Sequence, residues 1–140
     1  LVDHCYDRKF DKSFLLDGTL SNIEVARKNI DRALKRDRKV LIYFVYKDPL
    51  IAWHFTKVRE IAEGRNIPKE SFIEQYFGSI ETINALKHEY GDRVQIDLVQ
   101  LSVPKPDSHQ LTDYRFDFNI ASIDGYIKVK YSKKQLLELL

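Results

Sequence analysis

The sequence predicts an α/β fold in which helices flank a mostly parallel sheet, and three observations predict it. Apolar runs of strand length occur at 13–17, 40–46 and 94–101. Between them stand stripes with the period of a helix, and strand–helix alternation of this kind favours right-handed crossovers onto a parallel sheet. The length, 140 residues with 44% hydrophobic residues, suits one domain with a core of its own and is too apolar for disorder.

Residues 13–17 (Ser-Phe-Leu-Leu-Asp) read as a short buried strand that ends at Asp17 and turns at Gly18. Ser21 stands three residues before Glu24, the spacing of a capping box, and Ile23, Ala26, Ile30, Ala33 and Leu34 then recur on one face. That pattern predicts a helix over 22–36. Residues 40–46 (Val-Leu-Ile-Tyr-Phe-Val-Tyr) are apolar without interruption, as in a central strand covered on both faces. Asp48-Pro49 offers an N-cap and a preset first helical residue, and Gly64 stands where a left-handed C-terminal cap belongs. A helix over 49–63 follows, with Trp53 packing beside its apolar stripe.

Pro68 opens a long helical stripe through Phe72, Ile73, Tyr76, Ile80, Ile83 and Leu86 to Gly91, with Gly78-Ser79 as a point for a kink or a break. Residues 94–101 predict a further strand, and 102–116, with Pro104 and Pro106, an exposed loop. Two β-like runs within 117–131 around Asp124-Gly125 predict a C-terminal hairpin. Ser132 caps a last helix that runs to Leu140.

Composition narrows the function. A formal charge of +2 gives no global field for nucleic acid or an anionic membrane, and no apolar stretch approaches the ~20 residues that span a bilayer. The N-terminus has no signal-peptide core, and the single Cys5 makes no internal disulfide, which fits a reducing cytoplasm. Lys28, Arg32, Lys35, Arg36 and Lys39 share one helical face, but Asp31 and Asp37 interrupt it, so a solvated face is the simpler reading than a nucleic-acid stripe. His4, His54, His88 and His109 lack zinc-site spacing, no metal ligands are assigned, and no GxSxG elbow exists.

The residues suited to chemistry are few. Asp17 and Thr19 flank a glycine that lets a ligand approach the backbone closely, or else simply close a tight turn. Arg59 and Arg65 bracket a helix end, where guanidinium groups either neutralise charge on a transferring phosphoryl group or complement the helix dipole. Ligands in open α/β sheets bind at the carboxyl ends of strands, which is where Asp17 and Asp48 are expected.

Taken in order, Phe14-Leu15-Leu16-Asp17-Gly18-Thr19, Asn29-Ile30, Tyr43 to Pro49, Ala52-Trp53, Arg59-Glu60, Gly64 to Pro68 and Phe72-Ile73 resemble the zeta-toxin family of P-loop kinases over about residues 13–100. The resemblance implies a three-layer P-loop-kinase-like sheet, ATP and Mg²⁺ as cofactors, and a nucleotide-sugar acceptor such as UDP-N-acetylglucosamine. It also implies a cytoplasmic protein held inactive by a partner antitoxin. Carried over by position, Arg59 and Arg65 correspond to lid arginines on the ATP phosphates, Asp17 to the acidic strand-end position and Thr19 to a substrate contact.

The departure is as specific as the match. No GxxxxGK[ST] run and no Gly-Lys pair occur in the chain, so the backbone cradle for phosphates is not encoded in it. Only twelve residues precede the matching region, and Leu1 to Tyr6 read as the end of a helix, so the chain reads as the C-terminal two thirds of such a domain. The first strand of that domain normally sits inside the sheet, and without it an apolar strand edge should be exposed. Completion by a further segment or a partner, or self-association, is therefore expected, and a stable monodisperse monomer in size-exclusion chromatography would count against it. Such a chain would be inactive alone and bind no cofactor tightly. The alternative is a non-catalytic nucleotide- or protein-binding module derived from a P-loop kinase.

Overall fold

The computed structural model describes residues 2–7, 9, 11–102 and 114–140. Their elements are α1 (Val2–Cys5), α2 (Ile23–Leu34), β1 (Val40–Lys47), α3 (Pro49–Glu63), α4 (Lys69–Tyr90), β2 (Val94–Leu101), β3 (Tyr114–Asp117) and α5 (Lys133–Leu139). β1 and β2 pair in parallel from Val40 opposite Val94 to Lys47 opposite Leu101. β3 adds antiparallel to the far side of β2, from Leu98 opposite Asp117 to Leu101 opposite Tyr114, giving the order β1-β2-β3. The α/β expectation holds, with the helices packed on a sheet whose leading pair is parallel.

The core lies between that sheet and α2 and α4. Ala26 and Ile30 of α2 meet Ile80, Ile83 and Leu86 of α4 over Phe44, Val94, Ile96 and Leu98 of the strands. Ile120, Ile123 and Ile127 close the same cluster, so the segment after β3 is held by burial although it forms no strand. Alternation is what a strand exposed on one face requires: Phe44 is buried while Leu41, Tyr43 and Val45 are 43, 52 and 58% exposed.

Most helix boundaries follow their signals. Asp48 accepts a hydrogen bond from the Leu50 N–H at 3.1 Å, Pro49 takes the first turn, and Gly64 closes α3 in the left-handed region at φ 69°. Ser132 and Gln135 form the reciprocal capping box of α5. The cap of α2 differs from expectation: Asn22, not Ser21, accepts from the Glu24 and Val25 N–H groups, because the helix starts one residue later. Ser21 instead shares a hydrogen bond with Thr19 at 2.9 Å.

Four further expectations are corrected. Residues 13–17 form no strand among the described residues, and Leu15 is 81% exposed there, so the short apolar run does not enter the sheet. Among the described residues β1 ends the sheet instead of lying at its centre, and its exposed Leu41, Tyr43 and Val45 show that its apolar continuity does not reflect burial on both faces. The 117–131 region forms no hairpin: Asp124-Gly125 lies in a turn, but no strands flank it, and Asn84 of α4 takes up the turn by accepting from the Ile123 N–H and donating to Asp124. Of the expected 102–116 loop, 103–113 lie outside the described residues and 114–116 belong to β3.

Gly78-Ser79 neither kinks nor splits α4, which runs unbroken for 22 residues. The glycine serves contact: a Cβ at Gly78 would stand 2.9 Å from the Ser21 carbonyl oxygen. Gly78→Ala should therefore destabilise the fold by about 1–3 kcal/mol, outweighing the ~1 kcal/mol that alanine ordinarily adds to a helix. Thermal or urea unfolding of the variant checks this; a more stable variant would show that the approach of residue 21 to α4 is not held.

Candidate functional site

The carboxyl end of β1 turns directly into α3. A cleft of about 230 Å³ opens there, walled by Thr19, by Phe44 to Lys47 of β1, by Ala52 of α3 and by Phe72, Gln75, Tyr76, Ser79 and Ile80 of α4. The Tyr46 and Tyr76 hydroxyls share a hydrogen bond at 3.2 Å across it. Asp48 faces Lys130 at 3.5 Å while it caps α3, which ties the segment before α5 to the same end of the sheet.

α3 leans on α4 through one aromatic contact, Trp53 against Phe72 with ring centroids 5.1 Å apart. The rest of the helix stands in solvent: Phe55, Val58 and Ile61 are about half exposed or more. Lys47 lies 4.1 Å from the centre of the Phe55 ring and Lys57 5.1 Å from that of Trp53. A helix held at its first turns and free along its remainder can reposition its carboxyl end without disturbing the core.

The four residues singled out by sequence fall at different places. Thr19 lines the cleft. Asp17 is exposed in the irregular segment before it, not at a strand end. Arg59 projects from the last turns of α3, its side chain 61% exposed and paired only loosely with Glu63 at 3.4 Å. Arg65 follows the Gly64 cap and is also exposed. Asp17, Arg59 and Arg65 are not among the walls of the cleft.

Sequence reasoning missed Tyr46, Gln75, Tyr76 and Ser79 as site residues. Tyr46 and Tyr76 fall inside apolar patterns that read as packing, and a tyrosine immediately before Lys47-Asp48 is the available signal. On the basic face of α2, Arg32 pairs with Asp3 while lying over the Tyr6 ring, and beside that face Arg27 pairs with Glu24 and Glu89.

Two phenols should make stability fall at high pH. Burial, and then the hydrogen bond with Tyr46, hold the Tyr76 hydroxyl protonated well above the ordinary phenol range. Burial, and then its bond to Asp31 at 2.7 Å, push Tyr90 up to about 12. Both folded values lie above the unfolded one, so the folded state binds more protons in this window. Their contribution is complete below about pH 10 and is lost as pH rises towards 12 and beyond. Urea unfolding at pH 9 and 11 should show the fall, and Tyr90→Phe should flatten it; an unchanged slope would remove Tyr90 as a cause.

A protein-family model described as "Zeta toxin" matches residues 1–115. No curated protein and no solved structure matches the chain.

Proposed function

We propose, since the chain belongs to the zeta-toxin family, that it forms the lid-bearing side of an ATP-dependent phosphotransferase whose acceptor is a nucleotide sugar such as UDP-N-acetylglucosamine. The observation that carries this reading is the exposure of Arg59 and Arg65 at the carboxyl-terminal end of α3, the helix that leaves the carboxyl end of β1. Neither guanidinium is buried in a structural ion pair, so both remain available to phosphate oxygens. ATP with Mg²⁺ supplies the phosphoryl group.

The chain's own residues then take distinct tasks. Arg59 and Arg65 neutralise charge on the transferring group, for which the planar guanidinium is suited. Thr19, which already borders the cleft, and Asp17 two residues before it orient the acceptor. The residues fit one side of a triphosphate and not the whole of it, because no GxxxxGK[ST] loop is encoded among them. These 140 residues alone are therefore expected to bind ATP weakly and not to turn it over. A nucleotide-sugar acceptor places the activity in the cytoplasm, where an antitoxin protein would restrain it.

Titration of the isotope-labelled chain with ATP·Mg²⁺ tests the assignment by NMR. Weak shifts, with a Kd near ~1 mM, should concentrate at Arg59 and Arg65 and spare Lys28, Arg32 and Lys35. Shifts confined to the α2 face, or none at α3, would count against it.

A further inference from the structure

We propose that residues 128–139, which lie beyond the stretch that the family model matches, act as a releasable strap that sets the position of α3. Two supports of α3 stand at its base. Asp48 Oδ1 accepts from the Leu50 N–H at 3.1 Å, and the Trp53 ring meets that of Phe72 with centroids 5.1 Å apart. The strap reaches both. Lys130 Nζ stands 3.5 Å from Asp48 Oδ2, so one carboxylate caps α3 with one oxygen and holds the strap with the other. At the second support, Lys133 donates to the Glu74 carboxylate oxygens at 2.9 and 3.1 Å, and Lys69 donates to the Leu137 carbonyl at 3.2 Å. Lys69 and Glu74 flank Phe72 in the first two turns of α4.

The strap is attached more lightly than the segment before it. Ile120, Ile123 and Ile127 are buried in the core, and Asn84 of α4 bonds the turn between them through the Ile123 N–H and the Asp124 carboxylate. From residue 128 onward Leu136 is the one buried residue. Lys130 and Lys133 are half exposed or nearly so, and ion pairs in that setting are individually weak. α5 has seven residues, too few to persist as a helix away from α4. Residues 128–139 can therefore open as a unit while the isoleucine cluster stays closed.

Release acts on α3 through both supports at once. Asp48 loses its second partner, and the turns of α4 that carry Phe72 lose the two contacts on either side of it. The exposed remainder of α3, with Phe55, Val58 and Ile61 in solvent, has little with which to compensate. β1 and β2 stay paired, because their register and their buried residues do not involve the strap. α3 bears Arg59, so the regulatory consequence rests on the phosphotransferase reading: an attached strap fixes where the arginine stands, and a released strap frees it. Lys130 and Lys133 are positioning residues in that scheme.

Amide hydrogen exchange of the full chain, read without ATP, tests the strap apart from the phosphotransferase reading. Lys130→Ala combined with Lys133→Ala should speed exchange across Ile51–Glu63 by about three- to tenfold, the range that two exposed ion pairs can supply. Ile80–Leu86 and Val94–Leu101 should exchange as before, and Lys128→Ala on the same strap should change nothing. Reversing one pair, Glu74→Lys with Lys133→Glu, should protect α3 as in the unaltered chain, whereas Glu74→Lys alone should not. Unchanged exchange in α3, an equal rise in the α2–α4–sheet core, equal loosening by Lys128→Ala, or no recovery in the reversed pair would overturn the proposal. If α3 loosens as expected while phosphoryl transfer is never found, the strap stands and the phosphotransferase reading falls.

Discussion

Leu86→Ala should lower the unfolding free energy by about 3 kcal/mol, the cost of emptying a fully enclosed leucine site. Leu86 has 0% of its surface exposed and stands on α4 in the cluster that joins Ile83, Val94, Ile96 and Leu98. The loss combines the transfer energy of the removed methyl groups with the cavity they leave. Domains of this size are stable by roughly 5–15 kcal/mol, so the variant should remain folded in water yet unfold at distinctly lower urea. With a slope of about 1.5 kcal/mol/M the midpoint moves by ~2 M. Ile61→Ala, at a site 88% exposed on α3, should shift it hardly at all. Equal shifts for the two would mean that α3 is packed in solution and that the α2–α4–sheet cluster is not the main core.

Arg59→Ala should separate activity from stability in the opposite sense. In a gene product that supplies a phosphate-binding loop, removing a cation that meets developing charge should reduce kcat by about 10²–10³. The stability change should stay within ~0.5 kcal/mol, because Arg59 is 61% exposed and its pairing with Glu63 is a single i,i+4 contact. Releasing Glu63 to engage a phosphate costs correspondingly little. Arg59→Lys keeps the charge and loses the planar fork, so recovery by lysine should be partial. Turnover equal to that of the unaltered protein would remove Arg59 from the chemistry, and a matching loss of stability would make its role structural.

The parts of the fold legible in the sequence were those whose causes are local. α3 was bounded by an Asp-Pro start and a glycine stop, and both operate in the structure as side-chain cap and left-handed turn. β1 and β2 were legible because eight consecutive apolar or alternating residues leave few other solutions. Failures arose where pairing decides. Residues 13–17 have strand chemistry but join no sheet among the described residues, and the apolar residues after β3 go into the core as an irregular segment tied to Asn84. An apolar run does not reveal on which side its neighbour lies, so β1, expected at the centre, ends the sheet formed by the described residues.

The candidate site was legible to a similar extent. The ordered motifs indicated the family over residues 13–100, and the family model matches 1–115. Thr19 does reach the cleft, but Tyr46 and Tyr76 meet only because a strand end and the middle of α4 are brought together by packing 30 residues apart. No spacing rule in the sequence encodes that contact. The cation–π contact of Lys47 with Phe55 is of the same tertiary origin, although it joins neighbouring elements.

Transfer of labelled γ-phosphate from ATP to UDP-N-acetylglucosamine is the most direct test of the central claim. The assay compares the 140 residues alone with the 140 residues joined to a phosphate-binding-loop segment from another member of the family. Labelled sugar nucleotide should form with the longer product, fail to form with the 140 residues, and fall sharply on Arg59→Ala. Transfer by the 140 residues alone, or by neither, would contradict the reading of this chain as the lid-bearing side of a phosphotransferase.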